Sequence, residues 1–294
     1  MISILRIEMR RSLLVRLSPF AAAALVALMV NDIHTWRGIW PEGSAHISAP
    51  LLFIGPLMGG ISAWEVRRRH LAGSARGARS GTAPWITPLL IAHLLSGAAV
   101  VAVGALCAII VNLASAAPAG FLWPSYVLVS LACLTECIAV GLLLGRLGGP
   151  AWFAPVITAM LLFLRLVITL PGSGEAMRFH FTRLFLSGRA SAVLSPIGVA
   201  LAVLEAGLVV VLAWSVPDLI AHTRAIRART AYPWSRAHRR TVAVGSLGCV
   251  VAGALVLTSP RLIQERRPPK EPVCTSTEFR ICVWPDEAAR LPGL

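Results

Sequence analysis

The sequence predicts an all-α membrane protein, a polytopic bundle of about seven transmembrane helices with its N-terminus in the cytoplasm. Three observations carry that reading: the composition, the length of the apolar runs, and the side on which the arginines fall. Of 294 residues, 56% are hydrophobic and 14% charged, and the mean hydropathy is +0.75. A soluble domain carries about a quarter charged residues and could not cover so much apolar surface. The balance is basic, with 27 Lys and Arg against 13 Asp and Glu. The arginines stand between apolar runs, which points to lipid head groups and topology signals and not to nucleic acid.

The runs follow in order. A bilayer core of about 30 Å needs roughly 20 helical residues. Segments of that length are Leu13–Val30, Ser48–Glu65, Ile86–Leu113, Ser125–Leu144, Ala151–Leu170, Leu194–Val216 and Val242–Thr258. Long unbroken runs mean helices, because backbone polar groups in lipid must be satisfied within the segment, whereas a barrel shows short alternating segments. Before the first run, Ile2, Leu5, Met9 and Leu13 share one helical face, with Glu8, Arg10 and Arg11 mostly opposite. That pattern predicts a short interfacial helix. The first run ends in Val30-Asn31-Asp32 and not in a small-x-small cleavage site, so it is expected to remain as a span.

Arginine asymmetry sets the orientation. With the N-terminus inside, the cytoplasmic side holds Arg6, Arg10, Arg11, Arg16, Arg67, Arg68, Arg69, Arg76, Arg79 and Arg146. It also holds Arg224, Arg227, Arg229, Arg236, Arg239 and Arg240. The opposite short loops hold Arg37, Arg178, Arg183 and Arg189. Positive residues stay inside. Residues 1–258 are thus read as the bundle, with a cytoplasmic loop at 66–85, and 259–294 as an extracytoplasmic tail. Arg261, Arg266, Arg267 and Lys270 follow the last run closely and oppose that placement of the tail. Cys107, Cys133, Cys137 and Cys249 fall in spans as packing residues. Cys274 and Cys282 flank seven residues of the polar tail, and an external tail predicts a disulfide between them.

Catalytic motifs are missing. A P-loop needs a lysine beside its glycines, and the single lysine, Lys270, sits in Arg-Pro-Pro-Lys-Glu-Pro. No zinc-protease, nucleophile-elbow or dinucleotide motif occurs in the right context, and no metal or cofactor is expected. His93, alone in its span, reads as a hydrogen-bonded packing residue. Three ionisable residues within spans stand out: Glu136, Arg165 and Glu205. Glu136 and Glu205 each lie about 16 Å below the outer end of their runs, and Arg165 about 9 Å below it. Charge at that depth costs several kcal/mol on insertion scales of about 2.5–3.5 per residue, so such side chains face the bundle interior. They form either a polar seam along a substrate path or a structural ion-pair set.

The segment Ala63-Trp64-Glu65-Val66-Arg67-Arg68-Arg69, then small residues to Arg79 and Pro84, follows the second span. With the basic leader and an external segment between the fifth and sixth spans, this layout resembles the membrane subunit of a type-two, exporter-like ABC transporter. The resemblance covers about residues 1–217. It implies that Glu65, Arg67, Arg68, Arg69, Arg76 and Arg79 belong to a cytoplasmic coupling element that docks on a separate ATPase subunit. It also implies pairing with a second permease copy or a related chain, and an external or re-entrant element near Pro171–Ser191. The family core has six spans, whereas this chain adds a seventh and a tail, and Gly73, Gly77 and Gly81 weaken helix in the loop. Composition rich in Ala and Arg suggests a GC-rich bacterial genome and so a plasma membrane. An ion-coupled secondary transporter using Glu136, Glu205 and Arg165, or a non-transporting membrane anchor or sensor, are the other readings.

Overall fold

A computed structural model describes residues 2–75, 86–115, 120–147, 150, 152–168, 192–227, 243–245, 247–248, 251, 263–265, 271–274, 282–285 and 288. Nine helices and two short strand pairs account for most of them. They are α1 (Ile2–Arg11), α2 (Leu13–Asn31), α3 (Ile33–Trp36), α4 (Trp40–His46), α5 (Leu51–Ala75), α6 (Ile86–Ala114), α7 (Pro124–Leu147), α8 (Phe153–Ile168) and α9 (Pro196–Arg227). The strands are β1 (Ala192–Leu194), β2 (Ile263–Glu265), β3 (Val273–Cys274) and β4 (Cys282–Val283).

Five stretches are long and apolar enough to cross a membrane: Leu13–Asn31, Trp40–Ala72, Ile86–Ala114, Pro124–Leu147 and Pro196–Pro217. Phe153–Leu162 is apolar but shorter. The fifth expected run, Ala151–Leu170, is thus a helix of 16 residues, and most of the seventh lies outside the described residues. The second run differs most from expectation. Its helix does not stop at Glu65 but continues to Ala75, through Gly73, so Arg67, Arg68 and Arg69 sit on helix and not in a loop.

α5 and α7 run parallel and touch backbone to backbone. Small residues recur every four positions on both, Gly55, Gly59 and Ala63 facing Cys137, Gly141 and Gly145. A Cβ on Gly59 would lie 2.7 Å from the Cys137 carbonyl oxygen, and one on Gly145 would lie 2.6 Å from that of Ala63. A Cβ on Gly141 would overlap the Gly59 carbonyl. Lipid offers no hydrophobic drive to bring helices together, so close packing of small residues has to do it. The main core, with Leu25, Met29, Ile47, Leu51, Leu134 and Ile138, gathers around this pair.

α9 lies along the other side of α7, also parallel. Tyr126, Val129 and Ala132 meet Val199, Ala202 and Ala206 near one end. Ala139 and Leu142 meet Ala213 near the other. Pro217 interrupts α9. Proline has no N–H to give the carbonyl four residues back, which is that of Ala213. Arg146, in the last turn of α7, supplies the missing donor: Nη1 donates to Ala213 O at 3.0 Å and to Trp214 O at 2.7 Å.

The last described segments retrace α9. A Cβ on Gly245 would press on the Ser215 side chain, and one on Gly248 would meet Leu212 and Leu208. Rising number along this segment matches falling number along α9, so the two are antiparallel. β2 then pairs antiparallel with β1, Leu194 opposite Ile263 and Ala192 opposite Glu265, just before α9 begins. The chain therefore returns to the end of the bundle that holds α3 and α4. Beyond it, β3 and β4 form a hairpin in which Cys274 and Cys282 are disulfide-bonded.

Replacing Gly141 with Ala should force α5 and α7 apart and cost about 1–3 kcal/mol, the usual range for overpacking. Gly207→Ala, where a Cβ would meet nothing within 4 Å, should be neutral or gain up to about 1 kcal/mol of helix propensity. Thermal unfolding in detergent compares the two; equal effects would contradict the backbone contact.

Candidate functional site

A single carboxylate sits where four parts of the bundle meet. Glu65 is fully buried on α5, ten residues before that helix ends. Its Oε2 accepts from Ser12 Oγ at 2.8 Å, Leu13 N at 3.0 Å, Leu14 N at 3.4 Å and His93 Nε2 at 3.2 Å. Its Oε1 accepts from Arg69 Nη2 at 2.5 Å.

Each partner arrives for a local reason. Ser12 breaks the helix between α1 and α2 in extended conformation and caps α2, its Oγ accepting from Val15 N at 3.4 Å. The first amides of a helix have no partner within it and carry the positive end of its dipole, so they attract an anion. Glu65 fills that role from a different helix. Arg69 lies one turn further along α5 and bridges outward to Glu8 of α1. His93, on α6, closes the other side: its Nδ1 lies 3.0 Å from Ser62 Oγ, and Ser62 also donates to the Ile138 carbonyl of α7 at 3.3 Å.

The network thus binds the α1–α2 corner, α5, α6 and α7 through one charge. Leu5, Met9 and Leu13 of the expected apolar face of α1 and its neighbour are half-buried and Arg6, Arg10 and Arg11 are exposed, but Glu8, expected opposite that face, is buried. The Arg69 guanidinium, which bridges Glu65 and Glu8, holds the Glu8 carboxylate inward.

The other expected residues lie elsewhere. Arg68 is exposed on α5, and Arg67 keeps Nε buried without a partner. Arg76 and Arg79 fall outside the described residues. Glu136 and Glu205 are both buried, on α7 and α9, the two helices whose interface holds two apolar clusters. Arg165 is on α8, which packs on α5 and α7; its side chain is outside the described residues. Cys133 and Cys137 are buried and not disulfide-bonded, and no cluster of three or more His, Cys, Asp or Glu that could hold a metal occurs among the described residues.

Sequence reasoning took Glu65 as the start of a loop and missed Ser12, Ser62 and His93 as its partners. A signal was available. His93 is the only His, Asp, Glu, Lys or Arg of its span, and it stands in the first third of α6, the helix that follows α5 in the chain. No family model, curated protein or solved structure matches this chain.

Every group in the arrangement is a donor or acceptor to a neighbour, so it ties its helices together. Glu65→Ala should cost about 3–5 kcal/mol, as removal of one member of a buried charged set does. Arg69→Ala, where Glu65 keeps its other donors, should cost less. Thermal stability in detergent reads the order, and a larger loss for Arg69→Ala would contradict the hub.

Proposed function

We propose that this chain is the permease subunit of an ABC transporter of the exporter-like type, in a bacterial plasma membrane, working with a separate ATPase and a second permease. The N-terminus is cytoplasmic and the chain crosses seven times. Support for the orientation comes from the two ends of the bundle. The arginines of α1, Arg67–Arg69, Arg146 and the end of α9 gather at one end. The β1–β2 pair and the disulfide hairpin that follows belong to the other, the side where an oxidising compartment would keep the bond. Antiparallel packing of residues 243–248 on α9 supports the seventh crossing.

The observation that carries the function is the continuity of α5. The helix runs without a break from the core to Ala75, bears Arg67, Arg68 and Arg69, and is bolted at Glu65 to the α1–α2 corner and α6. A push on its basic end moves three spans together. A membrane chain without a nucleotide site needs such a surface to receive energy from outside itself.

A second reading has one specific support, the two buried carboxylates on the packed helices α7 and α9. It makes the chain an ion-coupled transporter. Uptake driven by an ion gradient into vesicles holding this chain alone would favour it.

Changing Arg76 and Arg79 to Glu leaves Arg67–Arg69 to hold the topology, so insertion should be normal. Co-purification of the ATPase and transport-linked hydrolysis should be lost. Normal partner binding with normal transport would leave these arginines as topology markers and remove the local support for the permease.

A further inference from the structure

Gly55, Gly59 and Ala63 face α7 at every fourth position of α5, and the next position in that series is Arg67. Residues four apart share a helix face, so Arg67 is turned toward α7 where the close packing ends. Gly145 of α7 lies against Ala63 and Val66, and Gly60 lies against Pro155 and Ala159 of α8. At 1.5 Å per residue, Arg67 stands about 10 Å beyond Gly60 along α5. That is the level at which α7 ends, at Leu147, and α8 begins, at Phe153.

Charge at this point is one-sided. Arg67 is half-buried, and its Nε is buried without a hydrogen-bond partner. A guanidinium stays charged in a protein, so it cannot relieve that burial by losing a proton. His70 follows three residues later on the same side of α5, and the charges of Arg67 and Arg146 both act on it. Among the described residues no carboxylate pairs with Arg67 or His70; Glu65 and Glu8 are both bound by Arg69. Buried N–H groups in native proteins are almost always met by an acceptor. The Arg67 Nε calls for one that the described parts of α5, α7 and α8 do not supply. At the start of α8, Trp152 and Phe153 stand exposed and meet edge to face. Tryptophan at the end of a membrane bundle marks the head-group level.

We propose that Arg67 and His70 form a binding site for a phosphate-class anion where α7 ends and α8 begins, with Arg146 adding to the positive field. A guanidinium presents parallel N–H groups to such an oxyanion, and the buried Nε–H is one of them. His70 has at least one ring N–H to give, whether neutral or charged. Arg146 already donates to the Ala213 and Trp214 carbonyls, so its part is its charge. Two sources offer the same phosphate chemistry, the head group of an acidic phospholipid and inorganic phosphate. The exposed Trp152 and Phe153 favour the lipid, since they put apolar rings at the level where its glycerol and chains would lie. Arg68 is exposed and lies about 100° round the helix from Arg67, outside the site. The site is independent of the ATPase partner and of transport.

The test uses the purified full chain, stripped of lipid in an uncharged detergent. It is titrated with short-chain phosphatidylglycerol and, separately, with sodium phosphate against sodium chloride of equal ionic strength. Binding is read as thermal stabilisation. The intact protein should respond to at least one of the two ligands. A response to phosphatidylglycerol alone identifies a lipid source, and a response to phosphate at matched ionic strength identifies the free anion; either supports the site. Arg67→Gln should weaken binding about tenfold or more, the worth of a charge-assisted hydrogen bond. Arg67→Lys keeps the charge, and with it the folded protein, but loses the fork of parallel donors, so it should weaken binding by less. His70→Ala should weaken it as well. Arg68→Gln removes the same charge from the neighbouring position and should bind as the intact protein does. Binding of neither ligand, binding unchanged in both Arg67 variants, or an equal loss in Arg68→Gln would overturn the proposal.

Discussion

A carboxylate inside a membrane bundle has to be surrounded by donors, and Glu65 shows how much structure that requirement can organise. Water is not there to supply hydrogen bonds, and a lone buried charge costs several kcal/mol. Glu65 meets the demand by drawing on the open amides of α2, the Ser12 hydroxyl, the Arg69 guanidinium and the His93 ring. Each donor belongs to a different part of the chain or to the next turn. Satisfying one charge thereby fixes where the leader helix ends and where the first span begins, and it ties the third span to the second through His93.

The same logic recurs where the backbone is left short of partners. Pro217 frees a carbonyl of α9, and Arg146 of α7 meets it. His46 ties α4 to the end of α2 through Asp32. Between these polar ties the bundle is held by close approach, with the small residues of α5 and α7 in register over two turns. The outcome is a closely packed pair, α5 and α7, with polar fasteners at both ends.

Much of the architecture was legible in the sequence. The positions of the long spans followed from run length alone, because a bilayer sets one thickness for all of them. What failed to show was anything that depends on the third dimension. α5 runs on past Glu65 because the Arg69–Glu8 and Arg69–Glu65 pairs stabilise turns that Gly73 and the charge run argued against. α3 and α4 hid inside the gap between two apolar runs, since four- and seven-residue helices have no usable periodicity. The Glu65 network was also out of reach, although each member could be seen singly: Glu65 looked like a boundary marker, His93 like packing, Ser12 like leader. Glu136 and Glu205 were legible as residues facing the bundle interior, and both are buried, on α7 and α9.

Hydrogen exchange tests the central claim, that Glu65 ties the first span to the second. The first amides of a helix ordinarily exchange fast because nothing within the helix accepts from them. Here the Leu13 and Leu14 amides should exchange slowly in the intact protein. In Glu65→Ala they should become fast, together with the α6 segment around His93, while β1 and the start of α9 stay unchanged. Fast exchange at Leu13 and Leu14 in the intact protein, or no change on removing the carboxylate, would contradict the account.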